Sequence, residues 1–257
     1  MSSTEPGLYE NVDASTRQAY ERFVEFERLM KSYSAQSSPH SRLNPTPLGL
    51  CAFALTTFIL SMYNAGVGIP VTASHGVVMG LALFYGGLIQ LIAGLLEFRI
   101  GNNFGALAFC SYGGFWLGLS SLYSGFFGFI TYMDSTTVNQ AFGVFFLAWT
   151  IFTAAMLVSS LRTNVALVAL FAFLTLTFIL LTACKFQNND YNLQRAAGAF
   201  GIITSIIAWY AAFASLLKQG ENSYFSLPVY NLAPQVSQVP TIVIDKPSRS
   251  NIRSQKM

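Results

Sequence analysis

No Asp, Glu, Lys or Arg lies between Arg42 and Glu97, between Arg99 and Asp134, or between Asp134 and Arg162. The same holds between Arg162 and Lys185 and between Arg195 and Lys218. A charge at the centre of a membrane-crossing helix costs about 2.5–3.5 kcal/mol on insertion scales, and such a helix needs about 20 largely apolar residues. The gaps have that length. Only 10% of the residues are charged, against about 25% in a soluble domain. An all-α membrane protein is the expected fold class.

The first gap holds two helices, divided near Pro70–His75, and each of the others holds one. The expected spans are about 48–69, 76–97, 104–124, 139–161, 164–184 and 196–217, six in all, forming a bundle around a central pore. The stretch from Ile100 to Met133 is too short for two spans and a turn, which argues against seven. Basic residues orient the bundle. Arg17, Arg22, Arg28, Lys31 and Arg42 precede it, and Lys218, Lys246, Arg249, Arg253 and Lys256 follow it. With Arg99 and Arg162 they put 12 of the 14 Lys and Arg on one side, opposite Lys185 and Arg195. Both termini are expected in the cytoplasm. The net charge of +3 is then a topology signal, with no nucleic-acid patch in it.

Three regions follow. Residues 1–43 form a polar cytoplasmic tail without the apolar core of a cleavable signal peptide. Within it Ser15-Thr16-Arg17-Gln18 resembles a capping box. Tyr20, Phe23, Met30 and Tyr33 then recur at roughly helical spacing, which suits an amphipathic helix over 16–33 and a partly disordered tail equally well. Residues 44–218 form the membrane domain. Residues 219–257, with Pro228, Pro234, Pro240 and Pro247 among polar residues, read as a flexible cytoplasmic tail. Gly76 and Gly80, Gly101 and Gly105, and Gly114 and Gly118 have the small-xxx-small spacing of close helix contacts, within one subunit or between subunits.

Asn44-Pro45-Thr46-Pro47-Leu48-Gly49-Leu50 stands where the tail meets the first span. Asn44 is placed to cap the helix and the prolines to preset its entry, leaving a partly positive helix end at the mouth of the bundle. Such an end attracts a small carboxylate.

Enzyme chemistry has no support. His40 and His75 are the only histidines, and no HExxH, GxSxG, GxxxxGK[ST] or CxxC pattern occurs. Cys51, Cys110 and Cys184 read as small buried hydrophobes, with no metal or cofactor role. The polar residues of the spans instead fall into stripes. Phe53, Thr57, Leu60, Ser61 and Asn64 share one face, as do Gly86, Gln90, Ala93, Gly94 and Glu97. Gly105, Tyr112, Trp116 and Ser120 form a third stripe, followed by Phe171, Leu174, Thr175, Phe178 and Thr182, and by Gly201, Thr204, Ser205, Ala208 and Ser215. A single Thr is better explained by bonding its own helix carbonyl. Asn64 and Gln90, costly to bury unpaired, are read equally well as helix staples or as pore lining. Glu97 is read first as a structural partner of Arg99 or of the turn Gly101-Asn102-Asn103, ahead of a proton-coupling role.

No Lys or Arg falls inside an expected span, so no fixed cation awaits an anion at the midplane. A carboxylate would rely on helix ends and hydroxyl or amide donors, or cross as the neutral acid. With a carboxyl pKa of about 4.3, on the order of 2% is neutral at pH 6.

Asn44-Pro-Thr-Pro-Leu-Gly-Leu50 resembles the Asn-Pro-Ala-Pro-Leu-Gly-Leu signature of the acetate uptake transporter family, with Thr46 in place of the commoner Ala. The likeness continues through Phe84-Tyr-Gly-Gly87, Gln90, Ala93-Gly-Leu-Leu-Glu97, Gly101-Asn-Asn-Phe-Gly105 and Ser111-Tyr-Gly-Gly-Phe-Trp116. It covers most of 44–217. The resemblance implies six helices per subunit, a pore through each subunit and a homohexamer in the plasma membrane. It also implies a constriction of Phe53, Tyr112 and Leu174, with Ala208 tuning substrate size. Acetate or a similar short-chain monocarboxylate is the implied substrate, moving with protons or as the neutral acid, and Thr57, Asn64, Gln90 and Thr175 would line its path. Membrane lipids and further copies of the chain are the expected partners, and nucleic acid is not. The alternatives are an ammonia or ammonium export pathway and a non-transporting sensor or scaffold.

Overall fold

The computed structural model describes residues 14–36, 43–125, 128 and 132–232. It has two units, divided after Asn44. The first contains helix α1, Ala14–Gln36, on which Phe23, Phe26, Leu29 and Met30 are exposed. Its helix begins at Ala14, so Ser15 lies within the first turn and not at the N-cap position expected of it.

The second unit holds α2 (Thr46–Ala65), α3 (Gly76–Leu83), a π-helical segment (Phe84–Ile89) and α4 (Gln90–Arg99). These are followed by α5 (Asn103–Tyr123), α6 (Ser135–Ser160), α7 (Val165–Phe186) and α8 (Tyr191–Leu216). From Gly76 to Arg99 the chain is one continuous helical rod. Among the described residues, that rod, α2, α6, α7 and α8 are the five stretches long and apolar enough to cross a membrane. Helix α5 has comparable length at 21 residues, but Asn, Gly, Ser and Tyr dilute its apolar content.

Most helices start as their local chemistry requires. Asn102, Asp134, Asn164 and Asp190 each accept a backbone N–H in the first turn of α5, α6, α7 and α8, a contribution of about 1 kcal/mol apiece. Helix α2 differs. Its N-cap position falls on Pro45, one residue beyond Asn44, and carries no side-chain cap. Pro47 sits in the first turn, where its missing N–H costs nothing. At the other end Gly66, at φ 71°, closes α2 through N–H bonds to Met62 and Tyr63.

The helices form a closed circuit. α2 packs on α8, α8 on α7 and α7 on α6, while α4 lies against both α5 and α2. Aromatic contacts join α5 to α6, among them Phe115 with Trp149 at 5.1 Å and Tyr112 with Phe152 at 5.7 Å. Glycine permits the closest approaches. A Cβ on Gly198 would lie 2.3 Å from the Ala65 backbone nitrogen, and one on Gly201 would lie 2.1 Å from Ser61 Oγ. The three sequence pairs behave otherwise. Gly80, Gly114 and Gly118 have no atom of this chain within reach of an added Cβ, whereas Gly105 sits against Asn102 and Glu97.

Residues 219–232, expected within a flexible tail, are folded onto the membrane unit. Val165 N–H donates to Tyr230 O, Leu232 N–H to Thr163 O, and Tyr210 Oη to Pro228 O. The rest of that tail, 233–257, lies outside the described residues, as does Arg42.

Overpacking a filled interior costs about 1–3 kcal/mol, and the Gly198 contact is backbone on backbone, so neither side can yield cheaply. Gly198→Leu is expected to lower the melting temperature of the detergent-purified protein. Gly114→Ala, with open space around it, should leave the melting temperature unchanged.

Candidate functional site

Two cavities open at opposite ends of the helix circuit. One, about 70 Å³, lies at the Thr46 end, where α2 and α7 begin; Leu50, Phe53, Gln90, Asn102, Tyr112 and Phe171 are among its walls. The other, about 400 Å³, lies where α2 ends and α8 begins, and includes Asn64, His75, Tyr123, Lys185 and Gln194.

A septum of aromatic and aliphatic side chains lies between them. Phe53 and Tyr112 meet edge to face with ring centroids 5.6 Å apart. They are 5% and 3% exposed, and Leu174 is 3% exposed. Tyr112 is held from behind by its hydroxyl, 2.9 Å from Thr153 Oγ1. Phe115 and Phe178 meet perpendicularly at 5.3 Å. Leu174 lines neither cavity; it lies on α7 between Phe171, a wall of the first, and Leu181, a wall of the second. Along α2 the two linings are separated by the step from Phe53 to Leu60, about 10 Å at 1.5 Å per residue.

Polar groups at this level are left without partners. Thr57 Oγ1, both amide atoms of Gln90 and Trp116 Nε1 are buried with no hydrogen bond. Thr57 lies one turn beyond Phe53 on α2, and Trp116 one turn beyond Tyr112 on α5. Gln90 shares a cavity wall with Phe53 and Tyr112. An unpaired buried amide or hydroxyl costs about 1–3 kcal/mol, so Gln90 and Thr57 stand out as costly polar groups beside the Phe53–Tyr112 contact.

Local backbone puts Gln90 there. The π-helical turn Phe84–Ile89 contains Gly86 and Gly87, which lie against Thr56 and against Ala82 O and Leu117. Helix α4 begins at Gln90, immediately after the extra residue of the π turn. Such turns recur at functional positions because they re-aim the residues that follow.

The other expected site residues fall as follows. Asn64 is buried at the wall of the larger cavity, where its Oδ1 accepts from Gln194 Nε2 at 3.4 Å. Thr175 lines neither cavity: it is half-buried and its hydroxyl donates to Phe171 O at 2.7 Å. Ala208 is fully buried within α8 and also lines neither cavity. In the entrance motif Pro47, Gly49 and Leu50 are buried, while Leu48 is exposed. A Cβ on Gly49 would strike the Phe109 ring at 2.5 Å, which explains the glycine.

The mouth at Thr46 is not an open anion trap. Glu97 is fully buried there, accepting from Thr46 Oγ1 at 2.5 Å and from Asn102 Nδ2 at 2.7 Å. Of the two structural partners expected for Glu97, it takes the polar turn and not Arg99. The hydroxyl that Thr46 brings in place of Ala is committed to this acid, so a resident carboxylate answers the positive end of α2.

The opposite mouth holds what sequence reasoning missed. Lys185 lies inside α7 (Val165–Phe186) and reaches the larger cavity, so the bundle does contain a resident cation. Its distance from the midplane is what hid it: it is one residue past the span expected from the charge gap. His75 lies between Tyr63 and Tyr123, with ring centroids 5.5 Å away on each side and planes tilted by 37° and 35°. Burial, and then the nearby Lys185 charge, hold its pKa below the usual histidine range.

The sequence pattern of the GPR1/FUN34/yaaH family matches residues 26–234. The chain is 42% identical over 216 residues to Ammonia transport outward protein 2 of Saccharomyces cerevisiae, covering 80% of this chain and 74% of that one. It is 42% identical over 197 residues to Acetate permease A of Emericella nidulans, covering 72% and 65%. The chain thus spans about two thirds of the length of the fungal permease. Its fold resembles the solved structure of the bacterial acetate channel SatP, with a TM-score of 0.63 and 33% identity. That match takes in 73% of this chain and all of the channel. With the family pattern running through α2 to α8 and a solved relative sharing the fold, the chain belongs to the GPR1/FUN34/yaaH family.

Proposed function

We propose that the chain is a plasma-membrane transporter or channel for acetate and related short-chain monocarboxylates. The observation that supports this reading is the pair of end cavities, with the Phe53–Tyr112 ring contact between their linings and unpartnered Gln90 and Thr57 beside it; Leu174, buried on α7 between the two linings, is proposed to complete the closure. An apolar collar of this kind excludes hydrated inorganic ions by dewetting, whereas a small acid can shed its water and exchange it for an amide and a hydroxyl. The acid crosses neutral or together with a proton, since the described residues of the septum include no cation. The names of the fungal acetate permease and the bacterial acetate channel agree with this substrate.

Six spans per subunit complete the proposal, with α5 as the sixth: its 21 residues reach about 30 Å at 1.5 Å per residue, the thickness of the apolar layer. Both termini then lie in the cytoplasm, the Thr46 cavity faces inward and the Lys185 cavity faces outward. The outward glycines Gly80, Gly114 and Gly118 support assembly of several copies, a hexamer by family resemblance, because nothing within the subunit uses the space they leave. Ammonia export is the second reading, favoured by the name of the yeast relative. Labelled acetate uptake into proteoliposomes, run beside ammonia flux, separates the two. Acetate flux absent while ammonia flux persists would overturn the carboxylate reading.

Two variants probe the septum. Leu174→Ala should widen it, so that a bulkier acid such as butyrate enters at a rate closer to acetate. Unchanged size selectivity would remove Leu174 from the gate. Gln90→Leu replaces an unpaired amide with an apolar group of similar size, so melting should hold or rise by up to about 1–3 kcal/mol of stability. Acetate flux through the same variant should fall about tenfold, because the donor is needed only while the acid passes.

A further inference from the structure

We propose that the larger cavity is a docking site for a small carboxylate anion, held by Lys185 and tightened when His75 takes up a proton. The inference deepens the transport reading by giving the route a charged waiting station on its His75 side.

Lys185 is the anchor. Its ammonium has three donors; one goes to Asn189 Oδ1 at 2.6 Å, and the charge lies 5.4 Å from the centre of the Phe142 ring. Among the described residues no carboxylate pairs with it. Asp190, five residues on, uses its Oδ1 to accept the N–H groups of Asn192 and Leu193 at the start of α8. A partly buried cation satisfied by one amide and one ring face lacks a counter-charge, and leaving it so is costly. The cavity in front of it, about 400 Å³, has room for an anion that keeps part of its water, since a water claims about 30 Å³ in the liquid.

His75 is the second arm. It lies on the same cavity wall as Lys185, between two tyrosine rings that fix its plane. The titratable groups facing it are Tyr63 of α2, Tyr123 of α5, Lys185 and Cys184 of α7, and Tyr191 of α8. None of these supplies a negative charge at neutral pH to stabilise an imidazolium. A docked carboxylate would supply it. The sign follows from linkage: burial and Lys185 lower the histidine's proton affinity, a bound anion raises it, so anion affinity must rise as pH falls through that range. The useful window lies below the ordinary histidine value of about 6.5 and above the carboxyl value of about 4.3, where the acid is still an anion. The two cavities are therefore unlike: the walls of the Thr46 cavity include no cation among the described residues, whereas Lys185 makes the His75 end attractive.

The test is a titration of the purified full-length protein in detergent with ¹³C-acetate, followed by NMR line broadening at pH 5.0 and 7.5. Wild type should bind about fivefold more tightly at the lower pH. Lys185→Gln should weaken binding about tenfold at both pH values, whereas Lys185→Arg, which keeps the charge, should retain it. His75→Gln should show the weaker, pH-independent affinity. Equal affinity in wild type and Lys185→Gln would overturn the proposal, as would undetectable acetate binding. So would an unchanged pH dependence in His75→Gln. Proteoliposome flux is scored separately: intact binding without flux would sink the transport reading and leave the docking site standing.

Discussion

Edge-to-face contact between Phe53 and Tyr112 is the constraint around which the membrane unit is arranged. Two rings from helices α2 and α5 can meet at 5.6 Å only if those helices are brought close and held. The holding is done from outside the contact. Glycines at 198 and 201 let α8 press against α2, Thr153 on α6 fixes the tyrosine hydroxyl, and the rings of Trp149, Phe152 and Phe171 close around Tyr112. Aromatic pairs of this kind contribute about 0.5–1.5 kcal/mol beyond burial. In the proposed transport route that is enough to hold the ring contact and little enough for a small guest to part it.

The two ends of the unit carry opposite chemistry, and the reason lies in which residues each helix end recruits. At the start of α2 the dipole is met by Glu97, itself tied down by Thr46 and Asn102. At the end of α7 the carbonyl-rich terminus is met by Lys185, as expected for a cation placed in a last turn. Each pairing is locally ordinary. Together they place an acid at one mouth and a lysine at the other, on either side of a septum with no carboxyl or amine among its described residues. In the proposed orientation the lysine mouth faces the supply of external acid.

Helices were legible in the sequence because membrane insertion penalises charge so heavily that the gaps alone outline them. Inward-facing stripes were legible for a related reason: lipid tolerates unpaired amides badly, so Asn64 and Gln90 had to be inside, where the structure places them. What stayed hidden depends on distances across the fold. Thr175 and Ala208 lie on buried or half-buried stripes yet reach neither cavity, since a stripe shows which face is inward and not what lies opposite it. The Glu97–Thr46 bond joins residues 51 positions apart. The π turn at Phe84–Ile89 has no pattern of its own beyond its paired glycines, and Lys185 was discounted because a charge gap ends at the charge, although the helix runs on to Phe186.

A buried amide without a hydrogen-bond partner in the protein needs a physical reason, and permanent satisfaction would defeat the purpose proposed for it. Were Gln90 bonded to a neighbouring helix, a guest acid would have to break that bond before gaining its own, and the net return would be near zero. Unpaired at rest, Gln90 offers its full hydrogen-bonding strength to whatever enters, at a standing cost of about 1–3 kcal/mol. The close seams of α2 with α8 and of α4 with α5 are where the fold recovers that sum. Stability lodged in glycine-lined seams thus offsets the unsatisfied polar groups beside the Phe53–Tyr112 contact, which is what the proposed transport route requires of its walls.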